Sequence, residues 1–239
     1  MLNRSKLLLI IFICIANTSL GQSSNTFQIW TDYTHFNKLN GNWQFFNDAG
    51  YRIQPSEEYN SFSRFHIRPS IEFKKQVLYS YRGGLGLFYT INSEINSTFE
   101  LRPWQGFRLN WPNFNRVRLV HYTRLEQRLA TYLNSDESSF TLKFRYKLQT
   151  KIPINNTSMT EGTYYIKISA EFFADLALID QATNSDRNRF ELGAGYLLKR
   201  DQEIQVIFLL QRNKNNLEEG IIQNDNVIRL SFLQRFGYD

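Results

Sequence analysis

Arginine and glutamate recur two residues apart along the chain, and this spacing decides what chemistry they can do. Glu100 with Arg102, Arg124 and Arg128 with Glu126, and Arg189 with Glu191 stand at i and i+2, where side chains of an extended strand emerge on one face. Arg64, Arg68, Glu72, Arg82, Arg108, Arg116, Arg118, Lys143, Arg145, Lys167 and Glu171 take the polar parity of their own segments. Guanidinium groups are planar, weakly hydrated and able to grip a carboxylate with two parallel hydrogen bonds, which suits a crowded and partly dry interior. Two readings follow. The set is either a salt-bridged lumen that replaces a hydrophobic core, or a polar channel or binding cavity whose excess of Arg attracts anionic solutes or lipid headgroups.

Other chemistry is thinly represented. The three histidines, His35, His66 and His121, are too scattered for a metal site, so neither metal nor cofactor is expected. A hydrolytic reading casts His66 as the base, with Ser63 or Ser70 as nucleophile. Ser63 has the opposite parity from His66, which makes His66 a polar lumen residue and the chain no enzyme. Gly83-Gly-Leu-Gly86 lacks a following helix and a Lys-Ser/Thr pair, so it is no phosphate loop; glycines at mid-strand relieve crowding or permit a bend.

The elements that carry these residues are strands. In 140–149, Phe140, Leu142, Phe144, Tyr146 and Leu148 share one face, and Thr141, Lys143, Arg145, Lys147 and Gln149 the other. That alternation has the period of a strand and not of a helix. It recurs in segments near 27–37, 42–54, 61–73, 77–91, 97–109, 115–131, 139–152, 163–175, 187–199, 203–212 and 225–236. Most reach the ~9–11 residues a tilted strand needs to cross a bilayer, whereas soluble strands usually stop near five or six. The turn clusters between them contain no second domain and no linker.

Length, charge and hydropathy narrow the class. The chain has 239 residues, enough for one or at most two domains. Mean hydropathy is -0.43, and the longest apolar run, 7–16, is far short of the roughly 20 residues of a spanning helix. A basic n-region (Arg4, Lys6), that run, and Ser19 and Gly21 at the positions a peptidase reads make 1–21 a secretory signal cut before Gln22. The mature chain, 22–239, would carry a net charge of 26 minus 22, or +4, and would lose Cys14, the only cysteine. Without thiols it has no disulfides. Its alternating acids and bases speak against nucleic acid as a partner.

Aromatic residues make up 15% of the chain. Tyr79, Tyr89, Phe140, Tyr164 and Phe172 fall toward strand ends on the apolar face, as the interfacial girdles of a membrane barrel do. The apolar face is therefore expected to meet lipid and the Arg/Glu face the lumen. Short connections at 74–76, 110–113 and 199–202 fall on the periplasmic side and longer ones at 176–186 and 213–224 outside; 153–162 breaks this rule. The last strand ends on Phe236, like the signal read by the barrel-assembly machinery. Eleven strands conflict with the even numbers of bacterial single-chain barrels. Ten to twelve are expected, with a segment misread at 27–54 or at the Pro69 or Pro103 strand, or with the amino end inside the lumen.

Trp30, Arg82-Gly-Gly-Leu-Gly86, Glu100-Leu-Arg-Pro-Trp-Gln105, Arg116-Val-Arg118, Arg124-Leu-Glu-Gln-Arg128, Phe144-Arg-Tyr-Lys-Leu148, Glu171-Phe-Phe173 and Arg189-Phe-Glu-Leu-Gly193 occur in this order. Together they resemble the outer-membrane barrel family catalogued as domain of unknown function 2490, common in Bacteroidota. The resemblance implies an outer-membrane barrel over the mature chain and supplies no activity. The expected fold is thus an all-β, antiparallel up-and-down transmembrane barrel with a structural or small-solute transport role. Its expected partners are outer-membrane lipid and the assembly machinery. The alternatives are an outer-membrane hydrolase acting on lipid or peptide and a soluble periplasmic β-barrel that binds a ligand.

Overall fold

A computed structural model describes residues 23–55, 61–76, 78–92, 97–112, 116–133, 135, 137–178, 185–215 and 222–237. The proposed signal segment lies outside these residues. The described chain is all β, with β1 Ser23–Lys38, β2 Trp43–Gln54, β3 Phe62–Ile67, β4 Ser70–Lys74, β5 Tyr79–Asn92 and β6 Thr98–Asn110 in its first half. The second half adds β7 Arg118–Tyr132, β8 Ser138–Pro153, β9 Tyr164–Leu178, β10 Ser185–Lys199, β11 Gln202–Asn215 and β12 Ile222–Phe236.

Sequential neighbours pair antiparallel, and β1 closes the sheet by pairing with β12 in parallel register, from Ser23↔Ile222 to Asn37↔Phe236. The twelve segments make eleven staves, because β3 and β4 both lie between β2 and β5. Pro69 divides them: it has no N–H to give a ladder. Here Arg68 donates its backbone N–H to the Asp48 carbonyl at 2.7 Å and Leu85 donates to the Pro69 carbonyl at 3.1 Å. Gly84 admits the kink, since a Cβ there would lie 2.5 Å from the Pro69 carbonyl oxygen. Pro103 leaves β6 unbroken, paired with Leu85.

The odd count expected as a defect is therefore a property of the fold, and the parallel seam resolves it. An even meander returns to its starting end and closes antiparallel. Eleven staves bring the first and last strands together pointing the same way. The consequence is that β1 begins at the end of the barrel opposite to the one where β12 stops. β1, β4, β6, β8, β10 and β12 end at the carboxyl-terminal end, where β2, β5, β7, β9 and β11 begin. Strands run further than expected, β9 to Leu178, β10 from Ser185, β11 to Asn215 and β12 from Ile222. The 154–163 connection is folded on itself, with Asn155 Nδ2 donating to the Gly162 carbonyl and Asn155 Oδ1 accepting from the Tyr164 N–H, both at 2.8 Å.

The two faces of the wall are unlike. Glu72, Glu126, Glu171, Glu191 and Glu203 are buried, while Leu192, Val206, Phe208, Leu210, Ile228 and Leu230 are exposed. Exposed and half-exposed rings stand in rows across the strands. Tyr51, Phe65, Tyr89 and Phe99 are successive register partners toward one end. Trp43, Phe73, Tyr81 and Phe107 are successive partners toward the other. Phe172, expected near a strand end, lies at the middle of β9.

The only apolar cluster of buried residues described is Trp30, Leu209 and Val227, inside the wall beside the seam. Tyr165 is also buried, crossing β10 where Gly195 offers no side chain, and an added Cβ would collide with its ring. Gly195→Ala is expected to destabilise the barrel by about 1–3 kcal/mol through overpacking, measured by urea unfolding. An unchanged midpoint would mean that Tyr165 can move aside.

Candidate functional site

The wall encloses a cavity of about 830 Å³. Its described lining carries eighteen Lys and Arg side chains against five carboxylates, Asp32, Asp48, Glu171, Glu191 and Glu203. Period-two projection explains the concentration. In β12, Arg229, Ser231 and Arg235 take the parity opposite to the exposed Ile228, Leu230 and Phe236 and line the cavity.

Four buried glutamates each serve two or three cations. Glu126 accepts from Arg124 at 3.2 Å, Arg128 at 2.7 Å and Arg145 at 2.5 Å. Glu171 meets Arg145 at 2.6 Å and Arg189 at 3.4 Å. Glu191 draws Lys147 at 3.0 Å, Arg229 at 3.1 Å and Lys167 at 3.4 Å, and accepts from Ser169 at 2.7 Å. Glu203 gathers Lys151, Tyr165, Arg235 and Gln205. Sharing of this kind follows from the imbalance of charge, because a desolvated cation is tolerable only near an opposite charge.

Most of the expected site residues meet in this network. Glu100 pairs with Arg102 and lies 3.9 Å from Arg64. Glu72 accepts from Arg82 at 2.9 Å and from Ser80 at 2.5 Å. Arg68 reaches Asp48 at 2.6 Å, Lys143 reaches Asp175 at 2.8 Å, and Arg108 donates to Asn110 at 3.0 Å. Two residues stand apart. Arg118 lines the cavity but is exposed, and Arg116 is exposed with Nη1 3.5 Å from the Ile154 carbonyl. The i, i+2 pairing holds at Glu100 and Glu126 but not at Arg189, whose carboxylate comes from Glu171 on β9 while Glu191 turns to other strands.

Aromatic rings set the planes of several guanidiniums. Arg102 lies 3.8 Å over Phe88, Arg52 4.0 Å over Trp30, Arg82 4.1 Å over Phe46 and Arg124 4.2 Å over Trp104. Stacking of this kind contributes roughly 0.5–2 kcal/mol and leaves the N–H edge for an oxyanion. His66 is fully buried, bonded through Nε2 to Asp48 Oδ1 at 2.9 Å and stacked on Phe88 at 5.3 Å. The Ser70 hydroxyl donates to the Phe46 carbonyl at 3.2 Å and not to His66.

Sequence reasoning passed over Asp32, Asp48, Arg52, Arg187, Glu203, Arg229 and Arg235, all of them on the cavity wall. A signal existed for Arg229 and Arg235, since the outward parity of β12 was legible. In β11 the run Ile204–Leu210 is apolar except Gln205, and Ile207 and Leu209 are buried beside the exposed Val206 and Phe208. Alternation of polarity therefore could not show which way Glu203 faces.

No curated protein and no solved structure matches the chain. The family model described as "Protein of unknown function (DUF2490)" matches residues 27–219, and it is to this family that the chain belongs.

Proposed function

We propose that the chain is an integral outer-membrane protein whose cationic interior takes up small anionic solutes. The observation that carries this reading is the inversion of the wall: buried Glu, Arg and Lys face apolar and aromatic side chains that point out all round the barrel. Exposed apolar patches beyond a few hundred Å² are uncommon on soluble monomers, and a lipid environment removes their cost. The ring rows fit the two interfaces. Tyr79 and Tyr89 on β5 are separated by about 34 Å of strand at ~3.4 Å per residue. At a tilt near 40° this is about 26 Å of height, close to the ~25 Å apolar band of outer-membrane barrels.

The same geometry supports anions as solutes. A charged cavity with low-dielectric walls concentrates counter-ions, and the surplus here is positive. Expressed with its signal segment, the protein is expected in the outer-membrane fraction, with a folded band that shifts on boiling. Recovery in the soluble fraction with no shift would overturn the membrane reading. In planar bilayers under a KCl gradient the reversal potential is expected to show anion preference. Cation preference, or no current steps at all, would remove permeation from the proposal.

A further inference from the structure

At the end of the cavity opposite to the carboxyl terminus, three guanidiniums are weakly neutralised by the wall. Among the described residues Arg52 and Arg187 have no carboxylate within 4.0 Å, and Arg64 meets its nearest, Glu100, at 3.9 Å. Neutral groups hold them instead. Arg64 Nε donates to Thr90 Oγ1 at 2.7 Å and Arg187 Nε to Asn213 Oδ1 at 2.6 Å. Arg52 lies on the Trp30 ring, with its Nε buried and unbonded.

These groups belong together. Each sits two residues from the terminus of its strand, at the end of the barrel opposite to the carboxyl terminus: Gln54 for Arg52, Phe62 for Arg64 and Ser185 for Arg187. Arg187 interacts as a like charge with Arg64 and Arg128, and Arg52 with Arg64 and Arg189. The carboxylates in electrostatic reach, Asp32 for Arg52 and Asp225 for Arg187, form no ion pair with them. Asp225 accepts from Thr26, Gln211 and Asn213. An array of like charges anchored by neutral acceptors has the character of a receptor, because desolvated cations are costly unless an anion joins them.

Resting on the reading that the interior takes up anions, we infer that Arg52, Arg64 and Arg187, with Trp30 beneath Arg52, bind a small solute carrying two or more oxyanionic charges. A single carboxylate or chloride satisfies one guanidinium edge. A diphosphate or a di- or tricarboxylate can bridge two or three, in the bidentate geometry for which Arg is suited. Because the groups face the cavity and not the apolar exterior, the ligand is a free solute and not a lipid headgroup.

The test is calorimetric titration of the folded full-length protein in detergent with inorganic pyrophosphate, chloride and acetate at equal ionic strength. Vesicles of phosphatidylglycerol provide the lipid arm. Pyrophosphate is expected to bind at least tenfold more tightly than either monovalent anion. Arg52→Gln with Arg187→Gln should weaken it at least tenfold, whereas Lys38→Gln with Lys199→Gln, an equal loss of charge at exposed positions, should change it less than threefold. The first pair should keep the boiling-sensitive band, since it removes repulsion and breaks no ion pair. If it does not fold, Arg187→Gln alone is read with a threefold threshold. Equal weakening by both pairs, binding indifferent to Arg52 and Arg187, or tight binding only of the vesicles would overturn the site. No pyrophosphate binding by a membrane-inserted, anion-selective barrel would also overturn it while leaving the proposed function intact. A protein that is neither inserted nor anion-selective would instead refute the function itself.

Discussion

Glu126→Gln is expected to destabilise the folded barrel by roughly 3–5 kcal/mol, the usual cost of leaving a buried charge unpaired. The effect is large because one carboxylate serves three guanidiniums from two strands, Arg124, Arg128 and Arg145, at 3.2, 2.7 and 2.5 Å. Only Arg145 has a second carboxylate partner, Glu171. The amide keeps the shape and removes the charge, so packing changes little and the loss is electrostatic. Urea unfolding followed by the boiling-sensitive band gives the number. A midpoint equal to that of the parent would mean that water within the cavity already solvates these side chains. Glu126→Gln combined with Arg145→Met should cost less than the sum of the two single changes, because residues of one ion-pair network are not additive.

Phe208→Arg is expected to have the second largest effect, and it bears on the exterior. Phe208 is 45% exposed, at the middle of β11 in register with Leu192 and Ile228, which are exposed as well. In a bilayer an Arg at mid-height of the lipid face costs about 2–4 kcal/mol. In water the same exposed substitution would fall within about 0.5 kcal/mol of neutral. Unfolding of the two proteins in lipid vesicles separates these cases, with Phe208→Leu as the apolar control. Equal stability of the Arg variant and the parent would be incompatible with a lipid-facing β11.

The strands and their faces were legible because both depend on neighbours in sequence. In β8, Phe144 is exposed and Lys143 buried, as the alternation requires, and each of the eleven segments read from periodicity corresponds to one stave of the barrel. Legibility failed where the pattern loses contrast. Trp30 faces inward from β1 between Gln28 and Asp32, an apolar ring on a polar face that supports Arg52. Glu203 is masked by the apolar run that follows it.

Pairing of charges was legible only within a strand. Glu100 with Arg102 and Glu126 with Arg128 are contacts at i, i+2, fixed by the pleat. The partners of Glu191 are Lys147 on β8, Lys167 on β9 and Arg229 on β12, gathered from strands far apart in the chain. Stagger between neighbouring strands and curvature of the closed wall bring these side chains to one level, and a sequence encodes neither locally.

What the sequence by itself determined is the period-two chemistry: eleven strand-length segments, each with a charged and an apolar face, because side-chain direction in a strand is set by the residue's own backbone and its neighbours. What only the tertiary structure decided is how those faces meet. Closure joined β1 to β12 in parallel and gave the odd count a consistent geometry. The curvature of the closed wall then shared a few carboxylates among many cations and left Arg52 and Arg187 without one of their own and Arg64 with one only at 3.9 Å, since the balance of charge in an enclosed space depends on which strands face one another across it.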